Sequence, residues 1–290
     1  MSTGAIDYWC NAFTPDRRAL WDTLIAAQGI PLKVRRDEKD SFTEPDGMLA
    51  RMDQLGIATL LIPTCELAPH GPLDAGFEPL AARPDELAAW ATRHPGRFVG
   101  SWSLDPGHGM VGVERAERAL GEGPFVALHI HTHSFDRPLD HADYYPYYAL
   151  AARHDVPVIM QVGASGGHMP SECGRPISID RPAIYFPGVR FVLSHTGWPW
   201  ETEAIAMALK FPNVYLGTAT QPPKHWPVAL LDFLRGPGRR KMIFGSGFPV
   251  CGHRHFLGQV DALELDAERR RLFLEDNARA IFTRLEARAG

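Results

Sequence analysis

The sequence is poor in cysteine, and its cysteines are not grouped. The four, Cys10, Cys65, Cys173 and Cys251, lie far apart and form no C-x-x-C pair. This spacing argues against a zinc–cysteine site and against a disulfide framework. Free thiols are typical of a reducing compartment, so we expect a cytoplasmic protein.

Long hydrophobic segments and an excess of basic charge are also missing. No segment approaches the roughly 18 uninterrupted apolar residues of a membrane-spanning helix, and residues 1–5 show no sign of a signal peptide. The chain has 30 Lys and Arg against 34 Asp and Glu, a formal net charge of −4. This balance offers no general attraction to nucleic acid or anionic membranes. We expect a small-molecule substrate and no nucleic-acid or membrane partner, and a homodimer stays open.

Two nucleotide-binding motifs are absent from the places where they would be informative. No G-x-G-x-x-G follows the first predicted strand, and no G-x-x-x-x-G-K occurs in the chain. The two commonest reasons to predict an open nucleotide-binding sheet are therefore missing.

Short apolar segments instead alternate with longer segments of helical periodicity. Near-continuous runs of Val, Ile and Phe are typical of parallel strands covered by helices. The predicted strands are Ala5–Phe13, Ala58–Pro63, Phe98–Leu104, Phe125–His131, Val156–Val162, Val189–His195, Val214–Thr218 and Lys241–Gly245. The predicted helices are Asp46–Gln54, Pro84–His94, Val111–Leu120, Tyr144–His154, Ile179–Phe186, Glu201–Lys210 and Pro227–Leu234. Eight repeats predict an α/β fold closed as a (β/α)₈ TIM barrel.

No interdomain linker or internal repeat interrupts this alternation. We expect one domain over residues 1–290, with a charged insertion after strand one at 14–43. The insertion is longer than an ordinary strand-to-helix loop, which is typical of a lid or a dimer arm. Residues 267–288 are predicted to form two closing helices.

Six segments carry a family resemblance: Tyr144–Pro146, Val156–Val158, Phe186–Trp200, Pro212–Leu216, Ile243–Pro249 and Glu275–Phe282. Their order and spacing resemble the amidohydrolase-related group that includes aminocarboxymuconate semialdehyde decarboxylase and the resorcylate-type decarboxylases. The resemblance extends from residue 6 to the end of the chain. It implies an amidohydrolase-type barrel with its active site at the carboxyl ends of the strands.

The resemblance also implies where a divalent metal would be bound, and there the chain departs from the family. The family holds the metal with Asp-x-His-x-His in strand one, His in strand five and Asp in strand eight, near a His in strand six. The two strand-one histidines correspond to Trp9 and Asn11, the strand-five histidine to Gln161 and the strand-eight aspartate to Gly247. Only His195 in strand six keeps its type. Trp and Gly offer no ligand atom and amides are poor zinc ligands, so we expect no metal and no cofactor.

Histidines in strands four and six are the candidate catalytic groups. His129, His131 and His133 alternate along strand four and fall on one face if the strand continues that far. We predict His131, His195 and His129 as catalytic, with a general acid and a general base among them. Two alternatives are hydrogen-bonded core histidines and a relocated divalent metal at His129, His131 and His195.

Five residues are predicted to contact the substrate. Trp9 offers a flat apolar surface for a ring, and Asn11 and Gln161 offer amide donors to oxygen. Arg175 after strand five and Arg254 after strand eight could each hold a carboxylate through two hydrogen bonds. Space-filling in a barrel without metal is the alternative for the first three, and a solvated surface position for the arginines.

These residues predict a metal-independent enzyme that acts on a small cyclic or aromatic, oxygen-rich substrate by histidine acid–base catalysis. The resemblance implies a lyase, that is a decarboxylase, or a hydrolase that opens a lactone or similar ring. A non-catalytic barrel that binds a small molecule or a protein is one alternative. An isomerase or cyclase that uses the same histidines is another.

Overall fold

The structure, a computed structural model, describes residues 4–28, 42–64 and 81–287. Its sheet has eight parallel strands that pair in chain order, which confirms the predicted TIM barrel. The strands are β1 (Ala5–Asp7), β2 (Ile57–Pro63), β3 (Phe98–Ser103), β4 (Phe125–Ile130), β5 (Val158–Gln161), β6 (Phe191–Ser194), β7 (Val214–Gly217) and β8 (Met242–Ile243).

Helices follow the strands and cover the sheet. They are α1 (Pro15–Gln28), α2 (Pro45–Leu55), α3 (Pro84–Arg93), α4 (Gly109–Glu122), α5 (Thr132–Phe135), α6 (Tyr145–His154), α7 (Asp180–Tyr185), α8 (Glu201–Lys210), α9 (Val228–Arg235), α10 (His253–Asp261), α11 (Ala267–Arg271), α12 (Asn277–Ile281) and α13 (Arg284–Ala287). Helix α2 begins with Pro45, and Gly56 caps its carboxyl end in a left-handed conformation with φ 66°. Within the described ranges, no helix has the length and apolar character to span a membrane.

Seven of the eight predicted strands extend past the observed carboxyl ends, and two of these differences bear on the site. β1 stops at Asp7, and only an isolated parallel bridge from Cys10 to Phe248 continues its pairing. β4 stops at Ile130, so that His133 lies in α5 and not on the strand. The alternation of His129, His131 and His133 therefore does not hold beyond the first of them.

The predicted insertion and the predicted closing helices are described in part. Helix α1 occupies the first half of the insertion, and residues 29–41 lie outside the described residues. Residues 267–281 form one continuous helical run made of α11, a π-helical turn at Leu272–Asp276 and α12, and α13 follows it, so that two helical segments occupy the predicted range. Thr283 accepts from Arg190 at 3.2 Å and donates to the backbone oxygen of Asp155 at 3.1 Å. Since Asp155 and Arg190 precede β5 and β6, the terminal helices lie at the amino ends of the strands.

Apolar side chains of alternate strand positions fill the barrel. Ile6, Val99, Ile159, Val192 and Ile243 belong to one buried cluster, which the side chains of α12 and α13 join. This packing closes the barrel at its amino end, so the carboxyl ends of the strands form its mouth.

A buried carboxylate joins the first strand to the segment after the eighth. Asp7 accepts hydrogen bonds from Ser246 N (2.9 Å), Ser246 Oγ (2.5 Å), Trp9 N (3.1 Å) and His253 Nε2 (3.0 Å). Asp7 and His253 are both inaccessible to solvent. Four donors satisfy the charge that burial would otherwise make costly, and they fasten β8 to β1.

We expect Asp7→Asn to lower the free energy of unfolding by about 2–4 kcal/mol, because the amide cannot accept all four bonds and its own N–H groups face donors. Urea denaturation followed by tryptophan fluorescence would measure the change. The exposed Asp232→Asn in α9 is the matched control, with an expected change within about 0.5 kcal/mol. Equal effects of the two variants would contradict the role of Asp7 in joining β1 to the segment after β8.

Candidate functional site

Three aromatic rings meet at the mouth. The indole of Trp9, just beyond β1, lies between the imidazole of His129 on β4 and that of His195 after β6. The ring centroids are 4.6 Å and 4.9 Å apart, and both imidazoles stand nearly perpendicular to the indole. His129 and Trp9 are buried, whereas His195 is partly exposed. The structure therefore brings one predicted substrate-binding residue together with two predicted catalytic ones.

Each of the three predicted catalytic histidines has a serine hydroxyl at its Nδ1 atom. Ser103 Oγ lies 2.6 Å from His129 Nδ1, Ser134 Oγ lies 2.7 Å from His131 Nδ1, and Ser194 Oγ lies 2.9 Å from His195 Nδ1. With Nδ1 engaged in each case, Nε2 is the nitrogen that remains for a further partner, and that of His129 is buried without one. Sequence reasoning missed these serines, although Ser194 directly precedes His195 and Ser134 stands one helical turn after His131.

Burial keeps these imidazoles neutral. It lowers the pKa of His129 to about 3 and that of His195 to about 3, and neighbouring histidines lower the pKa of His195 further. The pKa of His131 is also lowered well below its usual value, first by burial and then by His133, His129 and His195. Without a carboxylate to offset burial, a histidine charge is disfavoured here.

The backbone after β6 is strained where it presents His195. His195 and Thr196 have φ values of 63° and 57°, in the left-handed region that residues with a Cβ rarely occupy. Such conformations cost roughly 1–3 kcal/mol each and are concentrated at functional sites.

The predicted amide donors are placed differently. Asn11 donates from Nδ2 to the backbone oxygen of Phe248 at 2.7 Å and accepts from Trp9 Nε1 at 3.3 Å. Its amide thus orients the indole. Gln161 ends β5 with 8% of its surface exposed. Binding of substrate by these two residues stays a prediction.

The two predicted arginines lie in different surroundings. Arg175 forms ion pairs with Glu203 and Glu172, and its guanidinium lies 5.3 Å from the ring centroid of Trp200. Arg254 is exposed near the start of α10. A clamp role for Arg175 requires that a substrate carboxylate compete with Glu203.

His133 contributes to the wall behind the mouth. Its Nε2 donates to the backbone oxygen of Gly163 at 2.8 Å, which joins α5 to the loop after β5. We therefore interpret His133 as a structural residue that lies beside the other histidines.

Comparison with known proteins gives the family and the fold. The amidohydrolase family model matches residues 6–284. An uncharacterised TIM-barrel protein of Bordetella bronchiseptica is 20% identical, with a TM-score of 0.74 over 97% of this chain and 99% of that one. The 5-carboxyvanillate decarboxylase of Novosphingobium aromaticivorans, solved with bound manganese, is 16% identical, with a TM-score of 0.70 over 97% of both chains. The 4-oxalomesaconate hydratase of Rhodopseudomonas palustris is 18% identical, with a TM-score of 0.62 over 98% of this chain and 97% of that one.

One expectation from the sequence is overturned by these comparisons. The manganese in the carboxyvanillate decarboxylase structure points to a metal cofactor, so the expectation that no cofactor is used is wrong. Where this chain would hold a metal therefore has to be tested against its own residues.

The strand-end positions do not fit the family's metal centre. The Trp9 indole has no lone pair to give, and Gly247 has no side chain. A Cβ added at Gly247 would come within 2.4 Å of Thr220. Asn11 is already engaged by Trp9 and Phe248. These residues cannot assemble the set of ligands that the family uses.

The relocated site at His129, His131 and His195 is not formed either. Among the described residues, only Asp7, Cys10 and His253 bring three potential ligand atoms within 4.8 Å of one another. That set fits poorly, because the Asp7 carboxylate already accepts four hydrogen bonds and Arg51 Nε lies 3.5 Å from His253 Nδ1. Burial also raises the pKa of the Cys10 thiol well above its usual value, which disfavours the thiolate a metal requires.

The burial of His129 predicts a pH dependence of stability. Its folded pKa lies below its unfolded value of about 6.5, so its contribution to stability is complete above pH 6.5 and is lost as pH falls toward 3. Between pH 6.5 and 5 the loss is about 2 kcal/mol, and we expect His129→Gln to reduce the pH dependence by about that amount. Urea unfolding at the two pH values measures it. An unchanged pH dependence in the variant would show that His129 is not buried as a neutral ring.

Proposed function

The chain belongs to the amidohydrolase family and is an enzyme of lyase or hydrolase type, and on that premise we propose that it decarboxylates a small hydroxylated aromatic acid. The observation that carries this proposal is the group of Trp9, His129 and His195, an apolar indole between two neutral imidazoles. An aromatic ring packs well on an indole edge or face, and imidazole N–H groups bind the oxygens that such a ring carries.

The protonation state of the site favours decarboxylation over hydrolysis. Hydrolysis of a neutral lactone needs a base that activates water near neutral pH, and an imidazole with a pKa of about 3 is a weak base. A bound carboxylate is an anion, and its charge raises the pKa of the imidazoles around it. Binding of the substrate anion thereby favours protonation of an imidazole, and decarboxylation consumes that proton.

In the proposed reaction the bond between the ring carbon and the carboxylate breaks, and its electron pair stays on the ring carbon. That carbon takes a proton from His131, whose side chain is 8% exposed at the mouth. CO₂ leaves, and neutral His131 regains its proton from solvent when the next anion binds. His195 stabilises negative charge on a ring or carboxylate oxygen by donating a hydrogen bond.

The first substrates to test are 5-carboxyvanillate and 2,6-dihydroxybenzoate, after which two of the structural neighbours are named. The assay is CO₂ release, with deuterium incorporated from D₂O at the carbon that carried the carboxylate. Oxygen from labelled water in a ring-opened product would favour hydrolysis instead. Turnover of neither kind across a panel of hydroxylated aromatic acids would contradict the proposal.

We expect His195→Asn to lower kcat/KM for decarboxylation by about 10²–10³, because the variant lacks the Nε2 donor. The matched control is His154→Asn, at the end of α6 on the far side of the barrel, which should leave the rate unchanged. A His195→Asn variant as active as the control would remove His195 from the mechanism.

A further inference from the structure

We propose that Tyr8 and Ser194 are positioning residues that fix the tautomer of His195, so that its Nε2 carries the proton and faces the ligand. This inference names how the proposed decarboxylase site is set, and it rests on that function only for its effect on rate. The observation behind it is a continuous chain of hydrogen bonds from the barrel interior to the mouth.

The chain begins with a tyrosine that crosses the barrel. Tyr8 follows β1, is almost fully buried, and places its hydroxyl 2.5 Å from Ser194 Oγ at the end of β6. Two glycines make room for its ring. A Cβ at Gly217 would lie 2.2 Å from the Tyr8 hydroxyl, and one at Gly245 would lie 2.4 Å from Tyr8 Cε1.

The donors around the Tyr8 hydroxyl fix the direction of its proton. Its oxygen accepts from the backbone N–H of Ala219 at 3.3 Å, and the backbone of His195 also hydrogen-bonds to it. Burial raises the pKa of Tyr8 and keeps the phenol protonated. Since the approaching backbone groups are donors, the phenolic proton points to Ser194 Oγ.

The hydroxyl of Ser194 links the phenol of Tyr8 to the imidazole of His195. A serine hydroxyl has one proton, and its oxygen already accepts from Tyr8, so that proton is free for His195 Nδ1 at 2.9 Å. Nδ1 then acts as an acceptor, and the ring proton resides on Nε2. His195 is thus a fixed N–H donor, suited to bind an oxyanion.

The serine partner of His131 has a different environment. Ser134 Oγ donates to Met169 Sδ at 3.6 Å, so its lone pairs can accept from His131 Nδ1–H. This arrangement leaves Nε2 of His131 able to gain and lose a proton without any change at the serine. The two histidines therefore differ in role, His195 as donor and His131 as the group that exchanges a proton.

The test is the nitrogen NMR spectrum of the full chain with ¹⁵N-labelled histidine, which distinguishes protonated from unprotonated ring nitrogens. His195 is assigned through the signals lost in His195→Asn. In the wild type at pH 7 we expect a single Nε2–H tautomer. In Tyr8→Phe, which keeps the ring in place, and in Ser194→Ala, we expect exchange between tautomers and a displaced Nδ1 signal.

The matched control is Ser103→Ala, which removes the serine partner of His129 and should leave the His195 signals in place. A wild-type Nδ1–H tautomer, or an unchanged His195 tautomer in both Tyr8→Phe and Ser194→Ala, would overturn the proposal. In the decarboxylation assay we expect Tyr8→Phe to lower kcat about tenfold with little change in KM. If the NMR result holds but no decarboxylation is found, the proposed function fails and the positioning role stands.

Discussion

The buried carboxylate of Asp7 is the interaction on which the rest of the mouth depends. β1 has only three residues and β8 only two, and the backbone hydrogen bonds that join their segments, such as Tyr8 N to Phe244 O at 3.2 Å, lie beyond the strand ends. Asp7 compensates by accepting from both the backbone and the hydroxyl of Ser246, and from Trp9 N within its own segment. The same carboxylate thus fastens the barrel and fixes the turn that directs Trp9 into the mouth. An ionised group is tolerated there because all its hydrogen-bonding capacity is used.

The predicted catalytic histidines have the opposite arrangement, because burial keeps their rings uncharged. No carboxylate contacts the rings of His129 or His195 among the described residues, and each Nδ1 has a serine hydroxyl instead. A carboxylate at Nδ1 would accept only and would favour a charged ring, whereas a hydroxyl can donate or accept and leaves the ring neutral. The tautomer of each histidine then depends on the second hydrogen-bond partner of its serine. In the positioning role proposed above, Tyr8 inside the barrel sets where the proton of the His195 ring lies at the mouth.

The barrel could be predicted from the sequence because it rests on repeated local patterns. Glu201–Lys210 forms the helix predicted for it, residue for residue, since its apolar periodicity and charged ends agree with its packing. The carboxyl ends of β1 and β4 could not be predicted, because Trp9 and His131 are apolar or aromatic enough to continue a strand and only tertiary contacts turn the chain there. Trp9, His129 and His195 could be named as candidates because large or titratable side chains at strand ends stand out, and the structure brings their rings together. Ser103, Ser194 and Tyr8 were missed, since the role of a hydroxyl depends on partners distant in sequence, such as Ser194 for Tyr8.

In this chain, residues at the positions of the family's metal ligands contact and stabilise one another. Gly247 has a φ of 66°, and in that conformation its backbone N–H donates to the Trp9 oxygen at 2.9 Å. A side chain there would collide with Thr220, whose own N–H is bonded to Ser246 at 3.1 Å. An aspartate at position 247 would therefore displace both the loop after β7 and the segment that carries Trp9. The space between His129 and His195 would still hold the indole. Assembling the family's ligand set in this chain would require changes in strands one, five and eight together, because the backbone at Gly247 lies against Thr220 and is bonded to the segment that carries Trp9.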